Sequence, residues 1–263
     1  MDSALEELAA LPRDLASLIC AYALGGAPEE LLEKAARAGD EWGARWLVRE
    51  YSLRAVGGRG NIIHALLRAC ANGHLAIAQM LVAEFKITAA NARAHNSAAL
   101  RHSCGHGHLA VAQWLTAAFS LTAKDARADG YILRDMCAGG HIETAQWATM
   151  EFGLTAEDAR DGWNRALLDT CESGRLAAAQ WLVATFGLTA ADARSVDNYA
   201  LGAACANGHL AVAQWLVSEF KLTADDALGG RYYALRMAQK RQHHEVSGWL
   251  TSTFGGLEYL AAR

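Results

Sequence analysis

Proline is nearly absent from the chain: two in 263 residues, Pro12 and Pro28, so nothing beyond residue 28 interrupts a helix interior. No stretch approaches the run of about 18 apolar residues that a membrane span needs, and Met1 to Ala10 lacks the basic start of a secretory signal. We therefore expect a soluble, cytoplasmic protein that contacts no membrane. An excess of one charge is also missing. The 24 basic and 28 acidic residues leave a net charge of -4, and with no basic face to neutralise phosphates, nucleic acid is not an expected partner. Paired carboxylates, a glycine-rich phosphate loop and a serine nucleophile elbow are absent too. The expectation is a protein that is not an enzyme and carries no cofactor. What is present is apolar: 52% of residues are hydrophobic, enough to order the chain.

That apolar content is arranged periodically. The stretch ACANGHLAVAQWLVSEFKLTADDA, from Ala204, has near copies beginning at Ala69, Gly105, Cys137 and Cys171. Its glycine falls at Gly39, Gly73, Gly107, Gly140, Gly174 and Gly208, a period of 34 residues with one step of 33. A further copy carries Gln242 in that place. A fixed period in this range marks stacked supersecondary units that bury a shared core. It predicts about seven units over residues 29–254, a capping helix within 1–28 and a tail at 255–263. Oligomerisation is not needed to bury the core, and a monomer is expected.

Within one unit, Leu201, Ala204, Cys205 and Gly208 share a face of a short first helix. The glycine closes it by accepting positive φ. Leu210, Ala213, Val217 and Phe220 then predict the apolar stripe of an antiparallel second helix. Thr122, Thr155, Thr189 and Thr223 each precede an aspartate by three residues, a relative of the capping box, so a third short helix should start there. Cys70, Cys104, Cys137, Cys171 and Cys205 occupy equivalent positions. Stacked helices lie roughly 8–10 Å apart, beyond the ~7 Å reach of a disulfide, so these read as buried thiols in a reducing compartment.

The order leucine, small residue, GHL, apolar second helix and loop resembles the ankyrin repeat, in the long variant common in large DNA viruses and amoebae. The GHL at Gly73, Gly107 and Gly208 carries the likeness. The sequence departs from the family at its TPLH tetrapeptide, replaced by YALG at Tyr199 and RALL at Arg165, and the TAxDA helix takes the place of the hairpin finger. The resemblance implies an all-α, ankyrin-like solenoid of stacked helical hairpins that binds a partner protein through its concave face. A second, shorter likeness is carried by LPRDLASLICAYA at Leu11, which resembles the start of an F-box. It offers the alternative of a ubiquitin-ligase substrate adaptor, although a cap is the reading we favour. A metal-binding protein ranks third: His102, Cys104, His106 and His108 are dense, but alternate residues of a helix point in different directions. The tryptophans Trp46, Trp114, Trp147, Trp181, Trp215 and Trp249 recur seven residues after the glycine, and we expect them to pack rather than form an exposed ridge.

Binding should lie where the copies differ, on the open face of the first helix. The candidates are Arg68, Arg101, His102, His106, Arg134, Asp135, Asp169 and Glu172, with Leu168 on the same face. Tyr131, Trp163 and Tyr199, at the approach to that helix, are the candidate anchors, with Tyr232 and Tyr233 in the last unit.

Overall fold

A computed structural model describes residues 27–50 and 59–255. Most of the proposed cap, the LPRDLASLICAYA segment and the tail beyond Gly255 lie outside the described residues. So do the side chains of Tyr232 and Tyr233. Among the described residues all regular structure is α-helical, with no strand. Contacts divide the chain into two compact units, Met1–Asp125 and Ala126–Arg263.

In the first unit, α1 (Pro28–Ala38) and α2 (Glu41–Glu50) form one antiparallel pair and α3 (Arg59–Ala71) and α4 (Leu75–Phe85) the next. The short α5 (Ala89–Ala92) leads to a third pair, α6 (Ala94–Gly105) and α7 (Leu109–Phe119). The helix α8 (Ala123–Ala126) straddles the boundary. First helices pack on first helices, α1 on α3 and α3 on α6. The second unit repeats the scheme. Its first helices are α9 (Ile132–Gly139), α11 (Ala156–Glu172), α14 (Ser195–Ala206) and α16 (Ala224–Lys240), each packed on the next. Their partners are α10 (Ile142–Phe152), α12 (Leu176–Phe186), α15 (Leu210–Phe220) and α17 (His244–Phe254), with α13 (Ala190–Ala193) as the separate short helix.

Small side chains permit this close stacking. Leu66, Ala69 and Cys70 are buried, as are Leu100, Ser103 and Cys104, Leu133, Met136 and Cys137, and Leu201, Ala204 and Cys205. The five cysteines among the described residues are free, and burial pushes the thiols of Cys70, Cys104 and Cys205 up to about 12, so they stay protonated. The stripe of the second helix is rotated from the expected one. In α15 the buried set is Val212, Ala213, Leu216 and Phe220, while Leu210 and Val217 are only half-buried. Contacts come from the first helix and from neighbouring pairs together, which moves the covered face. The later tryptophans are half-buried, each meeting the phenylalanine five residues on edge to face, as Trp181 does Phe186 at 5.7 Å between centroids.

Two inter-repeat locks fix the stacking. At the first, Gly73 has φ +79°, and a Cβ there would lie 2.6 Å from the His108 ring of the next pair. The ring's Nε2–H donates to the carbonyl of Ala71 at 3.1 Å, as His74 does to Arg37 at 3.2 Å. Arg175, which breaks the histidine series, donates from Nε to the equivalent carbonyl of Ala138 at 3.4 Å. The glycine is thus required twice, for its conformation and for the neighbour's ring.

At the second lock, each Asp of TAxDA accepts from its own Thr and from an arginine one repeat earlier. Asp158 takes the Thr155 N–H at 2.7 Å on Oδ2 and Arg127 Nε at 2.5 Å on Oδ1. Asp125 is held by Arg93, Asp192 by Arg160 and Asp226 by Arg194, at 2.8, 2.9 and 2.7 Å. The arginines also cap the end of the next second helix along the chain, Arg127 Nη2 donating to Gly153 O at 2.8 Å and Arg160 Nη2 to Gly187 O at 3.1 Å. The threonine caps were legible in the sequence; the arginine that closes each one was not foreseen.

Burial raises the Asp125, Asp158 and Asp192 carboxyls, but the threonine and arginine donors outweigh it and hold them below the ordinary carboxylate range. For Asp226 the Arg194 hydrogen bond leads, in the same direction. A lowered folded-state value means stabilisation present above about pH 4 and lost as pH falls through the folded values. Asp192→Asn should therefore cost about 1–3 kcal/mol at pH 7 and flatten the acid limb of stability, read by urea unfolding between pH 7 and 3. Gly73→Ala should cost about 2 kcal/mol, falling to about 1 kcal/mol in a His108→Ala background where only the backbone strain remains. Equal costs in both backgrounds would show that the ring contact carries no energy.

Candidate functional site

Between the TAxDA helix and the next first helix the backbone makes a turn of left-handed helix. His95, Asn96 and Ser97 have φ of 53°, 57° and 55°. Gly162, Trp163 and Asn164 have 57°, 70° and 64°, and Val196, Asp197 and Asn198 have 51°, 54° and 61°. Glycine and asparagine tolerate this region, whereas Trp163 and Val196 hold it at a cost of about 1 kcal/mol each or more. In the second unit the turns are neighbours: a Cβ on Gly162 would sit 3.7 Å from the Tyr131 ring, and Ser195 Oγ donates to Trp163 O at 3.4 Å. Five large apolar side chains are exposed among the described residues, and three of them, Tyr131 (39%), Trp163 (79%) and Val196 (50%), line this row of tips.

Beside the tips lies a charged cluster built from α9, α11 and α14. Arg134 Nη2 pairs with Asp135 at 2.6 Å, Arg134 Nε approaches Asp169 at 3.8 Å, and its guanidinium lies 4.2 Å from the Tyr131 ring centroid. Arg165 reaches Asp169 at 3.4 Å, and the Tyr199 hydroxyl donates to Glu172 at 2.8 Å. The candidates Tyr131, Arg134, Asp135, Asp169, Glu172 and Tyr199 thus converge. Asp169 differs from the aspartates of the locks. Burial, followed by the opposing pull of Arg165 and Arg134 and the further push of Glu172 and Asp135, leaves its carboxyl above the ordinary value. The Oδ1 atoms of Asn164 and Asn198, just behind the tips, are buried without a hydrogen-bond donor. The region is rich in acceptors.

Other candidates fall elsewhere. Arg68 is exposed and bonded to Glu33 at 2.9 Å, a bridge between α3 and α1. Arg101 and His102 are half-buried on α6; His106 is exposed, its Nδ1 donating to His102 O at 2.8 Å and its ring stacked 6.3 Å from His108. With Cys104 buried, no group of three potential metal ligands converges among the described residues. The open face is narrower than the sequence suggests. Leu168 is 1% exposed, and Gly202, Ala203 and Ala206 of α14 are buried, because small residues let neighbouring first helices close over that face. Tyr199 is half-buried and bonded rather than a free-standing anchor. Sequence reasoning missed Asp161, Arg165 and Val196; their signal was the loss of repeat identity at the tips. Compared with known proteins, the chain matches no protein-family model and no curated protein.

A raised carboxyl contributes stability that is present below the ordinary value and lost as pH rises through the folded one. Towards pH 7 the Asp169 carboxyl is therefore a liability. Asp169→Asn should leave the urea midpoint unchanged or raise it, the reverse of Asp192→Asn. A drop as large as that of the lock variant would make Asp169 a structural residue.

Proposed function

We propose that the protein is a non-enzymatic recognition scaffold, an ankyrin-like solenoid that captures a partner protein on the exposed end of its first helices. The observation that carries this reading is the contrast between two sets of aspartates. Those at Asp125, Asp158, Asp192 and Asp226 sit in donor-rich locks that favour their charge, while Asp169, where the repeats diverge, has its carboxyl raised by burial beside exposed Tyr131 and Trp163. Groups held at a cost to stability, next to exposed aromatics, are what a binding surface retains. The absence of a transmembrane-length apolar helix among the described residues fits a partner met in water.

Full-length protein and an Asp169→Asn, Glu172→Gln, Trp163→Ala variant, each immobilised and exposed to the same lysate, test the reading. We expect discrete proteins retained by the first and lost by the second, with the two unfolding at similar urea concentrations. Retention of the same proteins by both would place binding elsewhere.

A further inference from the structure

The row of tips in the second unit carries a specific chemistry. Aspartates accompany the exposed apolar side chains: Asp161 lies two residues before Trp163, and Asp197 follows Val196. An open groove of about 450 Å³ beside them is lined by Arg127, Gly130, Thr155, Glu157, Asp158 and Asp161. Arg127 is bound bidentately to Asp158, which leaves Glu157 and Asp161 as formal excess negative charge in the groove. A side chain at residue 130 would collide with the Asp161 carboxylate, so Gly130 leaves room for that carboxylate beside the groove. Aromatic faces beside carboxylates attract cations in two ways, through the ring quadrupole and through charge.

We propose that the tips bearing Tyr131, Trp163 and Val196, with the acidic groove at Glu157 and Asp161, bind an extended lysine- or arginine-rich segment of a partner protein. This rests on the protein-binding reading above and adds the partner's chemistry. Neighbouring pairs are spaced by roughly 10 Å, so three tips span about 20 Å, the length of about six extended residues. One basic side chain enters the groove, a second lies over Trp163, and an apolar residue beyond it meets Val196. The strained backbone at Trp163 and Val196 is the scaffold's way of holding both side chains in water rather than against the neighbouring helix.

Anisotropy titrations of full-length protein with fluorescein-labelled (Lys-Ala)4 and (Glu-Ala)4, at about 0.15 M salt where long-range attraction is screened, test this directly. The lysine peptide should bind and the glutamate peptide should not. Trp163→Ala, which leaves charge unchanged, should weaken binding about fivefold or more, as should Glu157→Gln with Asp161→Asn. Trp42→Ala, removing an exposed tryptophan of the first unit, should change nothing. Undiminished binding by Trp163→Ala, an equal loss in Trp42→Ala, or no preference for the lysine peptide overturns the proposal. Concentration-dependent self-association in sedimentation, abolished by Trp163→Ala, overturns it in favour of a second molecule of this chain as the occupant. If lysate capture depends on the cluster yet lysine peptides do not bind, the partner's chemistry is wrong and the scaffold reading stands. If both fail, the surface itself is wrong.

Discussion

The bond between an arginine of one repeat and an aspartate of the next is the constraint from which the rest of the stack follows. Each lock aspartate accepts its own threonine on Oδ2, starting the short helix, and the Nε of the preceding repeat's arginine on Oδ1, and in Asp158, Asp192 and Asp226 the arginine's Nη2 reaches Oδ2 as well. The same arginine reaches a carbonyl at the left-handed end of the second helix. Helix start, helix end and the spacing between repeats are therefore set by one group of atoms. Charge-assisted, partly buried and bidentate, such a contact is directional in a way that apolar packing is not. Leucine and cysteine hold the helices together, and the lock decides their register.

Much of this was legible from spacing. The glycine period located the turns, Thr-x-x-Asp located the short helices, and the cysteine positions predicted free buried thiols; all three appear among the described residues. The arginine partners were as periodic as the aspartates, at Arg93, Arg127, Arg160 and Arg194, with Leu228 in that place in the last repeat. They escaped notice because a single-sequence reading interprets a repeated letter inside one unit, whereas this one acts between units. The histidine of GHL follows its own turn in sequence, yet the rings of His74, His108 and His209 lie over the glycine of the repeat before. Intra-unit spacing encodes local caps. Inter-unit contacts need the stacking geometry first.

The candidate surface was half legible, for a related reason. Divergence between repeats pointed to Arg134, Asp135, Asp169 and Glu172, and the fold brings these four into one cluster. It also pointed to Leu168, which is buried, because variation alone does not separate a face open to water from one covered by a neighbour of complementary size. In α14 that face is glycine and alanine, and α16 closes on it; in α11 the equivalent positions carry Asp169 and Glu172, which stay accessible enough to pair with Arg165 and Tyr199.

The left-handed turns had no signal in hydrophobic periodicity, since three residues of reversed helix leave the pattern on either side intact. Their sequences show why they matter. Glycine and asparagine suit such a turn, as at Gly162, Asn96 and Asn198. Trp163 and Val196 do not, in adjacent turns, and both are exposed. Burial cannot account for them, and local conformational preference opposes them. Both lie on the stretch of surface where carboxylates outnumber their arginine partners, which is where the proposed basic segment would lie.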